Sequence, residues 1–155
     1  MVKNEDYVLR ITNASPVELV IITYDILLEN IEQAINAHRE NPAVFIEGVN
    51  GARDALVELI GALDRTNPVA NEIYPIYEYV NGLLLGALIY EKKSGLEDAV
   101  RVLTPLRESW VKVSETEPKD GAVYKNAPKV YTGLTYGRKG SNNDYVENPS
   151  KGIKA

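Results

Sequence analysis

The stretch Ala14-Ser15-Pro16-Val17-Glu18-Leu19-Val20-Ile21-Ile22-Thr23-Tyr24-Asp25 carries nearly every signal that opens a helix. Ser15 is placed to cap. Pro16 falls at the first helical position, where a backbone N–H would be unpaired anyway, and Glu18 falls at the third, from which a carboxylate reaches back to the cap. The apolar residues that follow recur at helical spacing. Val20, Tyr24, Leu27, Ile31, Ala34 and His38 alternate steps of four and three, so they line one stripe and predict a helix over 16–38.

Outward from that stretch, the same cap-then-proline logic repeats. Asn41-Pro42 opens a second helix, with Phe45, Val49, Ala52, Leu56, Leu59 and Leu63 as its stripe. Asn67-Pro68 opens a third, striped by Ile73, Tyr77, Val80, Leu84 and Ala87. Ser94-Gly95-Leu96-Glu97 reads as another capping box, followed by Leu96, Ala99, Leu103, Leu106, Trp110 and Val113. Each seam supports about 20 residues, or roughly 30 Å, of helix. The connections are short, which favours antiparallel neighbours. No strand-like alternation competes within 16–114, so an all-α, antiparallel four-helix bundle is expected. Pro75 and Pro105 each lie inside a predicted helix, where a proline should kink it or delay its start.

The third predicted helix is apolar in excess. An ordinary surface helix shows an apolar arc of about 100° or somewhat more. Here Ile76, Tyr79, Leu83 and Tyr90 form a second stripe beside the core one, and at 100° per residue the two span roughly 180°. Leu85 and Ile89 extend the apolar surface further. One reading is a helix sealed by the N-terminal arm or the tail. The other is a groove that accepts an amphipathic partner helix, and the two are compatible if the cover can be removed.

Composition narrows the chemistry. With 155 residues the chain holds one domain with a proper core. It has no cysteine, so disulfides, cysteine–zinc sites and thiol nucleophiles are excluded. No apolar run is long enough to cross a bilayer and the N-terminus is too charged for a signal peptide, so membrane insertion is not expected and a cytoplasmic location is. The only histidine is His38, and the residue three before it is Ile35, so neither a histidine-based metal site nor the Glu-x-x-His signature of di-iron bundles can be built. A phosphotransfer histidine would be expected in mid-helix, whereas His38 falls at a helix end. Residues 133–140 are glycine-rich but lack a P-loop. No enzyme, metal or cofactor is expected.

Charge divides the chain in two. Residues 1–118 carry 10 Lys/Arg against 19 Asp/Glu, a net of −9, and residues 119–155 carry 7 against 3, a net of +4. The expected organisation is a helical domain over 1–118 and a basic, mostly irregular tail over 119–155 rich in Gly, Pro, Asn and Tyr. The acidic body argues against nucleic acid. The charge split and the Val130, Tyr131, Leu134 and Tyr136 cluster suggest that the tail folds back as a built-in competitor for the groove.

Several short strings, in order and at matching spacing, resemble the flagellar export chaperone FliS family over about residues 7–113. They are Thr12-Asn13-Ala14-Ser15-Pro16-Val17-Glu18-Leu19, like the family's T-A-S-P-x-E-L; Tyr24-Asp25; Leu63-Asp64; Ile76-Tyr77-Glu78-Tyr79, like L-Y-x-Y; and Leu106-Arg107-Glu108-Ser109-Trp110, like L-R-x-x-W. Ile26 stands where the family often has glycine, and the tail is longer than usual. The resemblance implies a cytoplasmic chaperone that holds flagellin's disordered C-terminal segment, prevents premature polymerisation and keeps flagellin competent for type III export. It implies further contact with other flagellar export or regulatory proteins. It also implies an N-terminal arm, matched here by Tyr7 and Ile11, that covers part of the hydrophobic surface until the client arrives. With Ile76, Tyr79, Leu83 and Tyr90 from the helical wheel, these six are the candidate partner-binding residues. The alternative is a bundle of the same fold that serves as an adaptor for a different partner helix.

Overall fold

The computed structural model describes residues 4–116, 123–125 and 127–129. Among these the chain is all-helical, with five helices: α1 Asn4–Thr12, α2 Pro16–Ala37, α3 Pro42–Ala62, α4 Pro68–Tyr90 and α5 Ser94–Thr116. The Val130, Tyr131, Leu134 and Tyr136 cluster lies outside the described residues.

Local chemistry explains where the helices begin. At α2 the capping box closes: the Glu18 N–H donates to Ser15 Oγ at 3.2 Å and the Ser15 N–H donates to Glu18 Oε1 at 2.8 Å. Asn41 caps α3 by accepting from the Val44 N–H, and Asn67 caps α4 by accepting from the Val69 N–H. Each cap is followed by proline at the first helical position.

The structure adds to one expectation and corrects two. The N-terminal arm is itself a helix, α1. The box at Ser94 and Glu97 does not set the start of α5, because the Glu97 N–H bonds the Lys93 carbonyl and puts Lys93 at the cap position. Finally, α4 and α5 run on through Pro75 and Pro105 as single helices, so neither proline delays its helix's start. Both prolines are exposed, so the backbone carbonyls they leave without an intrahelical donor face the solvent side.

Packing links the four long helices in a cycle. α2 rests on α3 and α5, α4 rests on the same two, and α1 packs on α2. The α2–α3 seam is the closest. A Cβ on Gly48 would stand 2.7 Å from the Asn30 carbonyl oxygen, and one on Gly51 would stand 2.4 Å from Asn30 Oδ1. Two glycines thus let α3 approach the buried Asn30, whose amide donates to the Ile26 carbonyl at 2.8 Å. Ala34, Ala52 and Ala55 continue the small-residue contact and are fully buried.

Where α2 and α4 meet in the core, Tyr24 and Tyr77 join hydroxyls at 2.6 Å, and Tyr77 reaches Tyr124 at 2.7 Å. All three are buried. A hydroxyl withdrawn from water needs such a partner, since an unpaired one costs about 1–3 kcal/mol. Burial pushes the Tyr24 hydroxyl up to about 12 and those of Tyr77 and Tyr124 up as well. Tyr124 lies past the expected domain boundary at 118, yet it joins the same core as the helices.

Candidate partner-binding surface

α1 turns two faces in opposite directions. Inward, Tyr7 is only 3% exposed and Ile11 packs, half-buried, against the core. Outward, Val8 and Leu9 stand in solvent, Leu9 at 69%. The polar ties of the arm run to α2. The Tyr7 hydroxyl donates to Glu29 Oε2 at 2.6 Å, and Arg10 pairs with Asp25 at 2.8 Å. Arg107 of α5 takes the other oxygen of the same carboxylate, so Asp25 joins three helices. Burial and the neighbouring Glu29 carboxylate both raise the Tyr7 hydroxyl pKa, which keeps it a neutral donor.

A nine-residue helix has little stability of its own. α1 persists through the Tyr7 ring, the Ile11 contact and two polar ties, which together make a cover held at few points.

α4 presents a different surface. Its core stripe of Ala70, Ile73, Tyr77, Val80, Leu84 and Ala87 is buried. Beside that stripe, Ile76 and Leu83 are half-buried, with Leu83 packed on the core and its carbonyl only 3.2 Å from where a Cβ on Gly95 would stand. Gly95 therefore lets the start of α5 close on this side. Tyr79 at 54% and Tyr90 at 70% are open to solvent. On the far side of the core stripe, Leu85 and Ile89 are exposed too, Ile89 at 62%. The wheel thus finds an apolar helix with open flanks, but the arm lies on α2, not over the α4 stripe. Tyr7 with Ile11 and the α4 residues form two separate surfaces.

Leu85 and Ile89 also belong to the exposed surface and were not among the six candidates. A signal was present, since both are apolar on a helix with few polar residues. On α3, Ile46 and Val57 are exposed as well.

Among the described residues no group of three or more His, Asp or Glu is placed to hold a metal ion. No helix among them is long and apolar enough to cross a membrane. The His38 ring donates from Nε2 to the Glu91 carbonyl at 2.7 Å and lies against Phe45, a tie between the ends of α2 and α4.

No curated protein matches the chain. A family model described as flagellar protein FliS matches residues 4–117, a span that runs from the start of α1 to just past the end of α5. The chain belongs to the flagellar protein FliS family.

Proposed function

We propose that this chain is a cytoplasmic export chaperone that binds the disordered C-terminal segment of flagellin, keeps it from polymerising early and holds it ready for type III export. Family membership carries the flagellar chaperone role. The observation that supports a client of this kind is the pair of open apolar flanks of α4, with Tyr79 and Tyr90 on one side of the core stripe and Ile89 on the other, all more than half exposed. A disordered amphipathic segment gains structure as its apolar side docks on such a flank. While docked, it is unavailable to another flagellin. No catalytic residue is required.

In this reading α2 to α5 form an antiparallel four-helix bundle, supported by their cyclic packing and short connections. Residues 1–118 are the chaperone domain and 119–155 its tail. Ile76, Tyr79, Leu83 and Tyr90 line the client surface together with Leu85 and Ile89. Tyr7 and Ile11 act as a movable cover over a second stretch, on α2, that the client reaches once the arm lifts.

Size-exclusion chromatography of the full chain with flagellin tests the proposal. Co-elution with intact flagellin, and none with flagellin lacking its C-terminal segment, is the expected result. Co-elution with neither form overturns it in favour of an adaptor for another helix.

A further inference from the structure

The family span ends at residue 117, but the packing does not. Residues 123–125 and 127–129 return to the corner between α3 and α4. The Asp64 N–H donates to the Val123 carbonyl at 2.8 Å and the Lys125 N–H donates to the Ala62 carbonyl at 2.9 Å, an antiparallel bridge of Leu63 with Tyr124. The Tyr124 ring lies on Trp110, 5.3 Å between centroids, with its hydroxyl on Tyr77. Further on, Pro128 is buried and the Lys129 N–H donates to Glu58 Oε1 at 3.3 Å.

We propose that this corner is a second peptide-binding site, which residues 123–125 and 127–129 occupy in cis and which an extended peptide of a partner protein, bearing an aromatic residue followed by a basic one, takes in trans. The seat has the parts that such recognition uses. Residues 62–64 offer one backbone donor and one acceptor to an extended chain, and Trp110 and Tyr77 form a floor that takes a ring and a hydroxyl. Asp64 favours a basic residue beside the anchor, as the attraction of Lys125 for its carboxylate illustrates, and Glu58 accepts a further main-chain N–H, that of Lys129.

The cis occupant holds this seat loosely. It buries two side chains and makes two backbone–backbone hydrogen bonds, plus one from its backbone to Glu58 and one between the Tyr124 and Tyr77 hydroxyls, against the entropy of ordering the chain that makes them. It also fits imperfectly. A cavity of about 180 Å³ remains between Tyr124, Lys125 and Ala127 on one side and Pro16, Val17, Val20 and Trp110 on the other. A partner with a bulkier residue at that point would fill it.

The seat is distinct from the C-terminal part of the client surface. Its contact on α4 is Tyr77, whereas Ile89 and Tyr90 stand at the end of that helix, twelve residues or more further on and roughly 18 Å away at 1.5 Å per residue. Occupation of the seat leaves Ile89 and Tyr90 accessible.

Trp110, the only tryptophan of the chain, reports directly on the seat. The probe is a synthetic peptide of residues 121–130, titrated into the full chain carrying Tyr124→Ala. A saturable change in Trp110 emission is expected, abolished when the peptide itself carries Tyr124→Ala. The wild-type chain should bind the peptide at least about tenfold more weakly, because its own segment competes at high effective concentration. A Tyr124→Ala chain that keeps its helical circular dichroism and gives no saturable response overturns the proposal.

Hydrogen exchange on the wild-type chain gives an arm that does not depend on the folding of that variant. The Asp64 and Lys125 amides should exchange together through local opening, at least about a hundredfold faster than those of Leu27 and Leu84. Exchange of that pair only through global unfolding makes Tyr124 a permanent part of the core and overturns the proposal.

Discussion

α2 and α4 are nearly equal in length, 22 and 23 residues, and both are apolar well beyond a single stripe. α2 buries twelve of its residues and α4 buries six. Cover separates them, not composition. α1 lays Tyr7 and Ile11 on α2, and Asp25 of α2 is tied from both sides by Arg10 and Arg107. On α4, Tyr79, Leu85, Ile89 and Tyr90 stay open to water. Each large apolar side chain left exposed forgoes about 1.5–3 kcal/mol of burial. A row of them on one helix marks a surface that another chain covers.

The contrast can be broken most sharply by truncation. Leu27→Ala in α2 should cost about 2–5 kcal/mol, the loss typical of a sealed core leucine. Ile89→Ala in α4 should stay within about 0.5 kcal/mol of wild type. Urea denaturation measures both, and equal losses would erase the distinction between the two helices.

The place where the helices meet gives a second handle. Tyr24, Tyr77 and Tyr124 hold their protons more tightly in the folded chain than in the unfolded one, where tyrosine ionises near 10. Their contribution is therefore complete below about pH 10 and is lost as the pH rises from there through 12 and beyond. The loss should approach about 1.4 kcal/mol per pH unit for each tyrosine. Denaturation midpoints measured between pH 8 and 12 should stay level and then fall; a level profile throughout would mean that the three rings are open to solvent.

A smaller effect probes the cover on α2. Tyr7→Phe removes the hydrogen bond to Glu29 and should lower stability by about 0.5–1.5 kcal/mol. Amide exchange should quicken in α1 while α4 is unaffected. Unaltered exchange in α1 would mean that the Tyr7 ring, Ile11 and the Arg10–Asp25 pair hold the arm without that hydrogen bond.

The features legible in the sequence are the local ones. Ser15, Asn41 and Asn67 cap the helices they were expected to cap, because a cap and its proline act within four residues. The box at Ser94 misled by one position, since where the chain turns out of α4 decides which carbonyl takes the first helical bond. α1 gave no periodic signal long enough to read, because a nine-residue helix owes its existence to the α2 surface beneath it. The wheel of α4 marked which side chains are apolar, but it could not say that α1 would settle on α2 instead. Tyr124 was one tyrosine among several in the tail. Its partner Leu63 is 61 residues away, and nothing local distinguishes it from Tyr131 or Tyr136.

Calorimetric titration of the full chain with flagellin's C-terminal segment, comparing wild type with the Tyr79→Asp/Tyr90→Asp double variant, tests most directly whether the open flank of α4 holds the client. Both side chains are more than half exposed, so the variant should keep its helical circular dichroism and its denaturation midpoint. Binding weakened at least about tenfold is the predicted result. Wild-type affinity in a folded double variant would contradict it.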